Sequence, residues 1–297
     1  MRLGVRVLCV CVLFLLSSVA YSEDLSGLHY AKPTRLAPNG TTFPQLLDQF
    51  RNAGGHSRSR TMVAWGDFEP IFIFPLVGST AGGGGTFFHT ASTIANHANR
   101  PQNVELFWFP IGGGAANCNR SAINFHMEAK TWYYWADFVA QEIGASGLGG
   151  VAVVAVDNFG NIDTSALIDG FSRIWTFIPG SSGSVSQSFV AESVNLDAGA
   201  QNAYGLEQDA GFRTNIGIFN YDIVPRTFNA SISGQNGSTS ASMDVDACTV
   251  SLGPGPAGNF GVMAITLSTA DGRGLWYGFG SSVDNVSGAS WSSVAHP

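Results

Sequence analysis

The fold of this chain is decided by a stretch that occurs twice, first as FHTASTIAN (residues 88–96) and again as FRTNIGIFN (residues 212–220). One constant offset relates five identical pairs in and just after the two copies: Phe88 and Phe212, Thr90 and Thr214, Ile94 and Ile218, Asn96 and Asn220, Pro101 and Pro225. Self-similarity of this kind is the signature of a repeated structural unit. We therefore expect two homologous domains.

Weaker matches follow this stretch in the same order in both halves. The run Gly150–Val156 resembles Gly261–Leu267, and Gly170-Phe171 recurs as Gly278-Phe279. The offset shrinks along the chain, as expected if the second copy has the same strands joined by shorter loops. The matches thus extend the duplication over most of the chain.

Within each copy the apolar residues have the short period of β-strands. The aliphatic run Gly150–Val156 has strand length and suggests a strand buried on both faces. Two Gly-containing segments, Asp157–Asn161 and Ala270–Gly274, read as hairpin turns. Short strands separated by Gly, Ser and Asn turns indicate an all-β fold. We predict two tandem antiparallel β-sandwich domains, at residues 67–186 and 187–297.

The region before the first sandwich divides into a leader and a lead-in. Residues 1–22 combine Arg2 and Arg6, an apolar run and closing small residues, which is the layout of a secretory signal peptide. No cysteine stands at the expected cleavage point, so we expect no lipid anchor. Residues 23–66 form a lead-in, in which Phe43–Phe50 has the apolar spacing of a short helix. The mature protein is expected to be secreted, periplasmic or held at the cell surface.

Charge and hydropathy narrow the class of partner. Without residues 1–22 the chain carries 12 basic and 21 acidic residues, a formal charge of −9. This balance disfavours nucleic acid and anionic membranes, and no later stretch is long and apolar enough to span a bilayer. We expect an extracellular protein or a glycan as the partner.

Two cysteines remain after cleavage, Cys118 and Cys248. Export places them in an oxidising compartment, where a disulfide persists. Sequence does not tell whether their Cβ atoms come within bonding range. A disulfide and two buried free thiols therefore both stay open.

Several phrases of the chain resemble those of a known group of proteins. They are FPLVGSTAG (residues 74–82), GTFFHT (residues 85–90), FRTNIGIFN (residues 212–220) and VDNVSG (residues 283–288). With them, the region from Phe74 onward resembles uncharacterised secreted, tandem β-sandwich (Ig-like) proteins of acidobacterial-type bacteria. The resemblance implies the fold and export and assigns no active site. His89 departs from it, since arginine is common at that position of the group.

The densest aromatic cluster is Trp132-Tyr133-Tyr134-Trp135. In a strand, Trp132 and Tyr134 point to one side and their two neighbours to the other. One pair could therefore face solvent and stack on a sugar ring; packing in the core or between domains is the alternative. We take Trp132 and Tyr134 as the candidate ligand-binding residues.

One loop has oxygen-bearing side chains at calcium-like spacing, namely Asp157, Asn161 and Asp163. However, Phe159 stands at the third position and no glutamate closes the loop. A plain turn is the better interpretation, although calcium binding by these residues stays open. We predict no metal and no cofactor.

Signatures of catalysis are absent from the sequence. It has no nucleophile elbow, no zinc-binding helix motif and no phosphate loop that opens a helix. Carboxylates that could pair as in a glycosidase are Glu105, Glu128, Asp137 and Glu142. We predict no catalytic residues and a non-enzymatic interaction or adhesion scaffold. The alternatives are a carbohydrate-binding module or glycan hydrolase, and a structural envelope or matrix protein.

Overall fold

The computed structural model describes residues 27–54, 69–180, 182–194, 196 and 199–296. The expected signal peptide (residues 1–22) and parts of the lead-in lie outside the described residues. The all-β prediction is confirmed, because helical segments are few. They are helix α1 (Phe43–Asn52), 3-10 turns at Gly83–Gly85 and Gly114–Asn119, and a π-helical turn at Val139–Ile143.

Strands dominate the described residues. They are β1 (His29–Tyr30), β2 (Thr34–Leu36), β3 (Ile71–Ala81), β4 (Phe87–Asn96), β5 (Gln102–Pro110), β6 (Ile123–Met127), β7 (Thr131–Trp135), β8 (Gly147–Val156), β9 (Ile168–Phe177), β10 (Ser184–Val190), β11 (Glu192–Ser193), β12 (Gln201–Gln208), β13 (Phe212–Asn220), β14 (Arg226–Gly234), β15 (Gly237–Val245), β16 (Thr249–Pro254), β17 (Gly261–Thr269), β18 (Trp276–Asp284) and β19 (Ser290–Val294).

The strands build two sandwiches with the same strand order. In domain 1 (β3–β11) the two faces are β3-β8-β5-β6 and β7-β4-β9-β10, which a short pairing between the end of β3 and the start of β4 joins into one sheet. Domain 2 (β12–β19) has the separate sheets β12-β17-β14-β15 and β16-β13-β18-β19. The eight strands β3–β10 thus correspond one to one to β12–β19. We name each sheet by a central strand: the β8 and β4 sheets of domain 1, and the β17 and β13 sheets of domain 2.

The repeated stretch found in the sequence carries hydrogen bonds that both sandwiches need. The Asn96 side-chain amide donates to the carbonyl oxygens of Arg100 and Glu128, each at 2.9 Å. Asn220 donates in the same way to the carbonyl of Val224 at 3.0 Å. The repeated threonines likewise donate to the first strand of their own domain. The recurrence of these residues is explained by buried backbone carbonyls that require a partner.

The pairing of the strands shifts one of the sequence matches by three residues. Gly261 occupies the place of Gly147, opposite the far end of the first strand of its domain, and not that of Gly150. Both Gly147 and Gly261 have positive φ, 100° and 62°. Glycine adopts this conformation without steric cost, which accounts for its presence at both positions.

One predicted hairpin is wrong and one is only local. Ala270–Gly274 connects β17 to β18, which lie in opposite sheets of domain 2. Asp157–Asn161 closes a tight turn with a single bridge between Val156 and Ile162, after which the chain crosses to the β4 sheet. Turn residues alone do not distinguish a hairpin from a connection between two sheets, because both need the same backbone conformations.

The passage between the domains lies later than residue 186. β10 continues to Val190, and β11 pairs with β3 of domain 1. The chain therefore crosses to domain 2 between Ser193 and Gln201.

The four sheets stack in the order β4, β8, β13, β17. Along β8, Val151 and Val153 point into the core of domain 1, whereas Ala152 and Val154 point into a second core shared with domain 2 and α1. All four side chains are fully buried. The predicted strand with two buried faces is confirmed.

Aromatic side chains fill the joint between the domains. Phe219 of the β13 sheet packs on Phe109 of the β8 sheet, with ring centroids 5.1 Å apart. Helix α1 closes one side of the joint, since Phe43 contacts both Phe109 and Tyr221. The apolar residues of this helix are buried, as its sequence pattern predicts.

A disulfide links the two domains across this joint. Cys118, in the turn after β5, is bonded to Cys248, which precedes β16; their Cα atoms are 5.3 Å apart. Asn117 adds a hydrogen bond of 3.0 Å from its side-chain amide to the carbonyl of Cys248. The joint is thus both covalent and buried, which favours a fixed arrangement of the two sandwiches.

Candidate ligand-binding surface

The aromatic cluster of β7 alternates between the core and the surface. Trp135 is buried in the core of domain 1, and Tyr133 packs against the same core. Trp132 and Tyr134 take the outer face of the β4 sheet, where Tyr134 is 43% exposed. Trp132 is partly covered by Tyr30 of β1, with ring centroids 5.2 Å apart. Both sequence-predicted ligand residues therefore lie on one surface, and Tyr134 is the more accessible.

Tyr134 belongs to a row of side chains that crosses the sheet. Thr93 of β4 pairs with Tyr134 on one side and with Phe171 of β9 on the other. Val190 of β10 pairs with Phe171 and ends the row. Residues paired in this way point to the same face of a sheet. Phe171 and Val190 are exposed to 42% and 49%, so the row is an accessible apolar surface.

A second aromatic group lies on the same face, nearer the other end of β4. Phe87 packs on His89, His89 on Trp175, and Trp175 on Phe177, with ring centroids 4.8, 5.2 and 5.0 Å apart. Phe87 and Phe177 are the exposed ends of this chain of contacts. Sequence reasoning did not single out any of these four residues as a ligand site.

Together the two groups form what we call the aromatic face. Its members are Tyr30, Phe87, His89, Trp132, Tyr134, Phe171, Trp175, Phe177 and Val190. Half-exposed side chains of this number present roughly 500 Å² of apolar surface, and an apolar patch of this size on a protein is often functional. Arg173 of β9 lies exposed within it and has no ion-pair partner among the described residues.

His89 is held on this face by a carboxylate. Its Nδ1 lies 2.6 Å from Oδ2 of Asp137, and the same oxygen accepts a hydrogen bond of 3.0 Å from Ser79. A nucleophilic serine must contact the imidazole and reach the substrate. Ser79 instead contacts the carboxylate and is 3% exposed. This arrangement orients His89 and lacks the geometry of a catalytic triad.

The four carboxylates considered as glycosidase candidates each have a different local partner. Glu142 accepts from the indole of Trp135 and pairs with Arg35, Asp137 holds His89, Glu128 lies near His126, and Glu105 contacts Asn39. Each of the four is thus engaged by a partner of its own.

Glu105 is a buried acid at the joint side of the β8 sheet. It is 0% exposed, and its Oε1 accepts a hydrogen bond from Asn39 of the lead-in. Burial raises the pKa of Glu105 to about 7, against the lowering effect of the Asn39 hydrogen bond. The fold therefore favours the neutral carboxyl, because an isolated buried charge is costly.

The residues with calcium-like spacing are used by their own loop. Asp157 Oδ1 accepts the backbone N–H groups of Phe159 and Asn161 at 2.8 and 2.9 Å. Asp163 forms a 2.7 Å ion pair with Arg100. Although burial acts to raise the pKa of Asp163, hydrogen bonds from Ser165 and Arg100 lower it. Among the described residues no group of three or more acidic, His or Cys side chains is arranged to hold a metal.

A polar cleft of about 320 Å³ lies at the edge of the joint. Arg226 lines it but is already paired with Asp222 and Asp271, at 2.8 and 2.7 Å. Its charge is thus satisfied within the protein.

No family model, no curated protein and no solved structure matches this chain. Among the described residues, no helix has the length and apolar character needed to cross a membrane.

Proposed function

We propose that this protein is an exported, non-enzymatic interaction scaffold that binds a partner protein through the aromatic face of domain 1. The observation that carries the proposal is the row of exposed apolar side chains, Tyr134, Phe171 and Val190, side by side on one face of one sheet.

The chemistry of the face favours a protein as the ligand. Trp, Tyr, Phe and Arg are enriched in the centres of protein interfaces, whereas Lys and Glu are depleted. The aromatic face follows this composition, with Arg173 at its centre. Since Arg173 has no ion-pair partner among the described residues, the partner is expected to place a carboxylate opposite it.

The rest of the molecule supports a scaffold role. The disulfide and the shared core hold the two sandwiches in a fixed arrangement. The protein therefore loses little conformational entropy when it binds a partner. The duplication and the secretory leader inferred from the sequence agree with an exported two-domain protein. The resemblance to secreted bacterial tandem sandwiches points in the same direction.

A glycan is the second candidate ligand, because Trp132 and Tyr134 share the exposed face. It ranks lower for two reasons. Tyr30 covers part of Trp132, and Phe171 and Val190 offer no hydrogen bond to sugar hydroxyl groups.

The test is site-specific photo-crosslinking on the surface of the exporting organism. A photoreactive phenylalanine analogue replaces Phe171, and Phe159, an 88% exposed residue in the turn after β8, serves as the matched control site. We expect one discrete protein adduct from position 171 and none from position 159. The same mature chain is screened on a glycan array with Trp132→Ala and Tyr134→Ala beside it.

Two results would contradict a protein partner at the aromatic face. Glycan binding abolished by these substitutions, in variants that stay folded, would replace the protein partner with a glycan. Equal adducts from both positions would show that the aromatic face has no selective partner.

A further inference from the structure

The aromatic face has a counterpart in domain 2, and that counterpart is buried. The strand pairings place each residue of the exposed row at the position of an apolar residue on the β13 sheet. The corresponding pairs are Trp132 and Val250, Tyr134 and Leu252, Phe171 and Phe279, and Val190 and Val294. Val250 and Phe279 are at most 1% exposed, and all four domain 2 residues belong to or pack on the core of the joint.

The surface that covers these residues is the outer face of the β8 sheet of domain 1. Its apolar members include Phe107, Phe109, Ala152 and Val154, all buried in the same core. Gly150 leaves room there, since a Cβ atom at this position would lie 2.7 Å from the ring of Phe219. One sandwich thus docks its β13-type sheet, face to face, on the β8-type sheet of the next.

The free β17 sheet of domain 2 does not offer this surface again. At the positions of Phe107, Phe109, Ala152 and Val154 it carries Ser231, Ser233, Thr266 and Ser268. These polar side chains are partly or fully exposed. A second copy of the chain therefore lacks an apolar sheet with which to cover the aromatic face in the same way.

We propose that the occupant of the aromatic face is a β-sandwich domain of another protein, which docks an apolar sheet on it as domain 1 docks its β8 sheet on domain 2. This inference rests on the proposed function and specifies its partner. Arg173 marks one difference from the internal joint. Its counterpart, Ser281, donates a hydrogen bond to Gln187 of domain 1 at 3.0 Å. Gln187 belongs to β10, which lies beside the β8 sheet at the joint, so the partner is expected to place a carboxylate opposite Arg173 from the edge of its docking surface.

The experiment uses the chain itself as the probe. The triple variant Ser231→Phe, Ser233→Phe, Ser268→Val gives the free β17 sheet the three larger apolar residues of the β8 sheet. We expect this variant to associate head to tail, the aromatic face of one chain on the altered sheet of the next, in sedimentation velocity over a concentration series. The unaltered chain should show no such head-to-tail association.

Two further variants separate docking from unspecific aggregation. Adding Tyr134→Ser and Phe171→Ser should weaken association about tenfold or more, because both rings sit at the centre of the contact. Adding Phe159→Ser should leave it unchanged. The proposal of a β-sandwich partner is rejected if Tyr134→Ser and Phe171→Ser leave the association unchanged. It is also rejected if the triple variant does not associate at all. Selective crosslinking at position 171 would then still support the proposed function.

Discussion

Each end of the stack of four sheets has a β-sheet face that is open to solvent, and the two faces differ in the polarity of their side chains. The outer β4 sheet of domain 1 presents Tyr134, Phe171 and Val190 side by side. The outer β17 sheet of domain 2 is mostly polar, with Ser231 and Ser233 at its centre, and its exposed apolar residues are Tyr204 and Val262. The serine-rich face shows that a free sheet of this fold does not require apolar residues on its solvent side. Exposed aromatic side chains promote unwanted association. Their presence on domain 1 is therefore best explained by binding.

The disulfide should contribute the largest single stabilisation of the joint. Cys118 and Cys248 are 130 residues apart, and closing a loop of that size in the unfolded chain is worth roughly 5 kcal/mol in the chain-entropy model. The double substitution Cys118→Ala, Cys248→Ala should lower the free energy of unfolding by up to this amount, measured by urea titration. An unchanged midpoint would mean that the bond contributes nothing to the joint.

Phe279 and Phe171 provide a matched pair, since they occupy the same position in the two domains. Phe279 is fully buried in the joint and Phe171 is 42% exposed. Phe279→Ala should therefore cost about 4 kcal/mol of stability, and Phe171→Ala less than about 1 kcal/mol. Thermal and urea unfolding of both variants give the comparison. Similar losses at the two positions would contradict the distinction between a covered and a free face.

The pH dependence of stability tests the burial of Glu105 on the joint side of the β8 sheet. Its counterpart in domain 2 is Asn229, which is exposed. The pKa of Glu105 is raised by burial to about 7 from an ordinary 4.5, so its neutral form stabilises the fold. This contribution is fully present below pH 4.5 and is lost as the pH rises to about 7, by up to about 3 kcal/mol.

The variant Glu105→Gln keeps a neutral acceptor for Asn39. It should match the unaltered chain below pH 4.5 and be more stable above pH 7, by the same rough 3 kcal/mol. Urea titrations at pH 4 and pH 8 measure the difference. Equal pH dependence of the two chains would show that Glu105 ionises in the fold without cost.

Local patterns in the sequence were enough to predict the all-β class, helix α1 and the strand β8 with two buried faces. They failed at the connections, because Ala270–Gly274 has the residues of a hairpin turn and yet joins opposite sheets. The sequence match between the aliphatic runs Gly150–Val156 and Gly261–Leu267 is wrong by three residues for a related reason. Short aliphatic stretches resemble one another at several offsets, and only the pairing with β3 and β12 selects the right one.

The candidate site was found only in part. Trp132 and Tyr134 stood out because they lie in a dense run, and the alternation of β7 placed both on the outer face. Phe171, Trp175 and Phe177 were missed, although their even spacing along β9 puts them on one side of a strand. That signal becomes informative once the neighbours of β9 are known, because sequence does not tell which strands lie side by side. The partial cover of Trp132 by the lead-in is likewise a product of tertiary structure.

The most direct test of the account is a titration of the partner recovered by crosslinking at position 171. The unaltered chain, Tyr134→Ala/Phe171→Ala and Phe159→Ala are compared by calorimetry, after unfolding curves have shown that all three are folded. We predict a loss of affinity of about a hundredfold for the double variant and none for Phe159→Ala. Equal affinity of all three chains would contradict the central claim that the aromatic face of domain 1 is the binding surface.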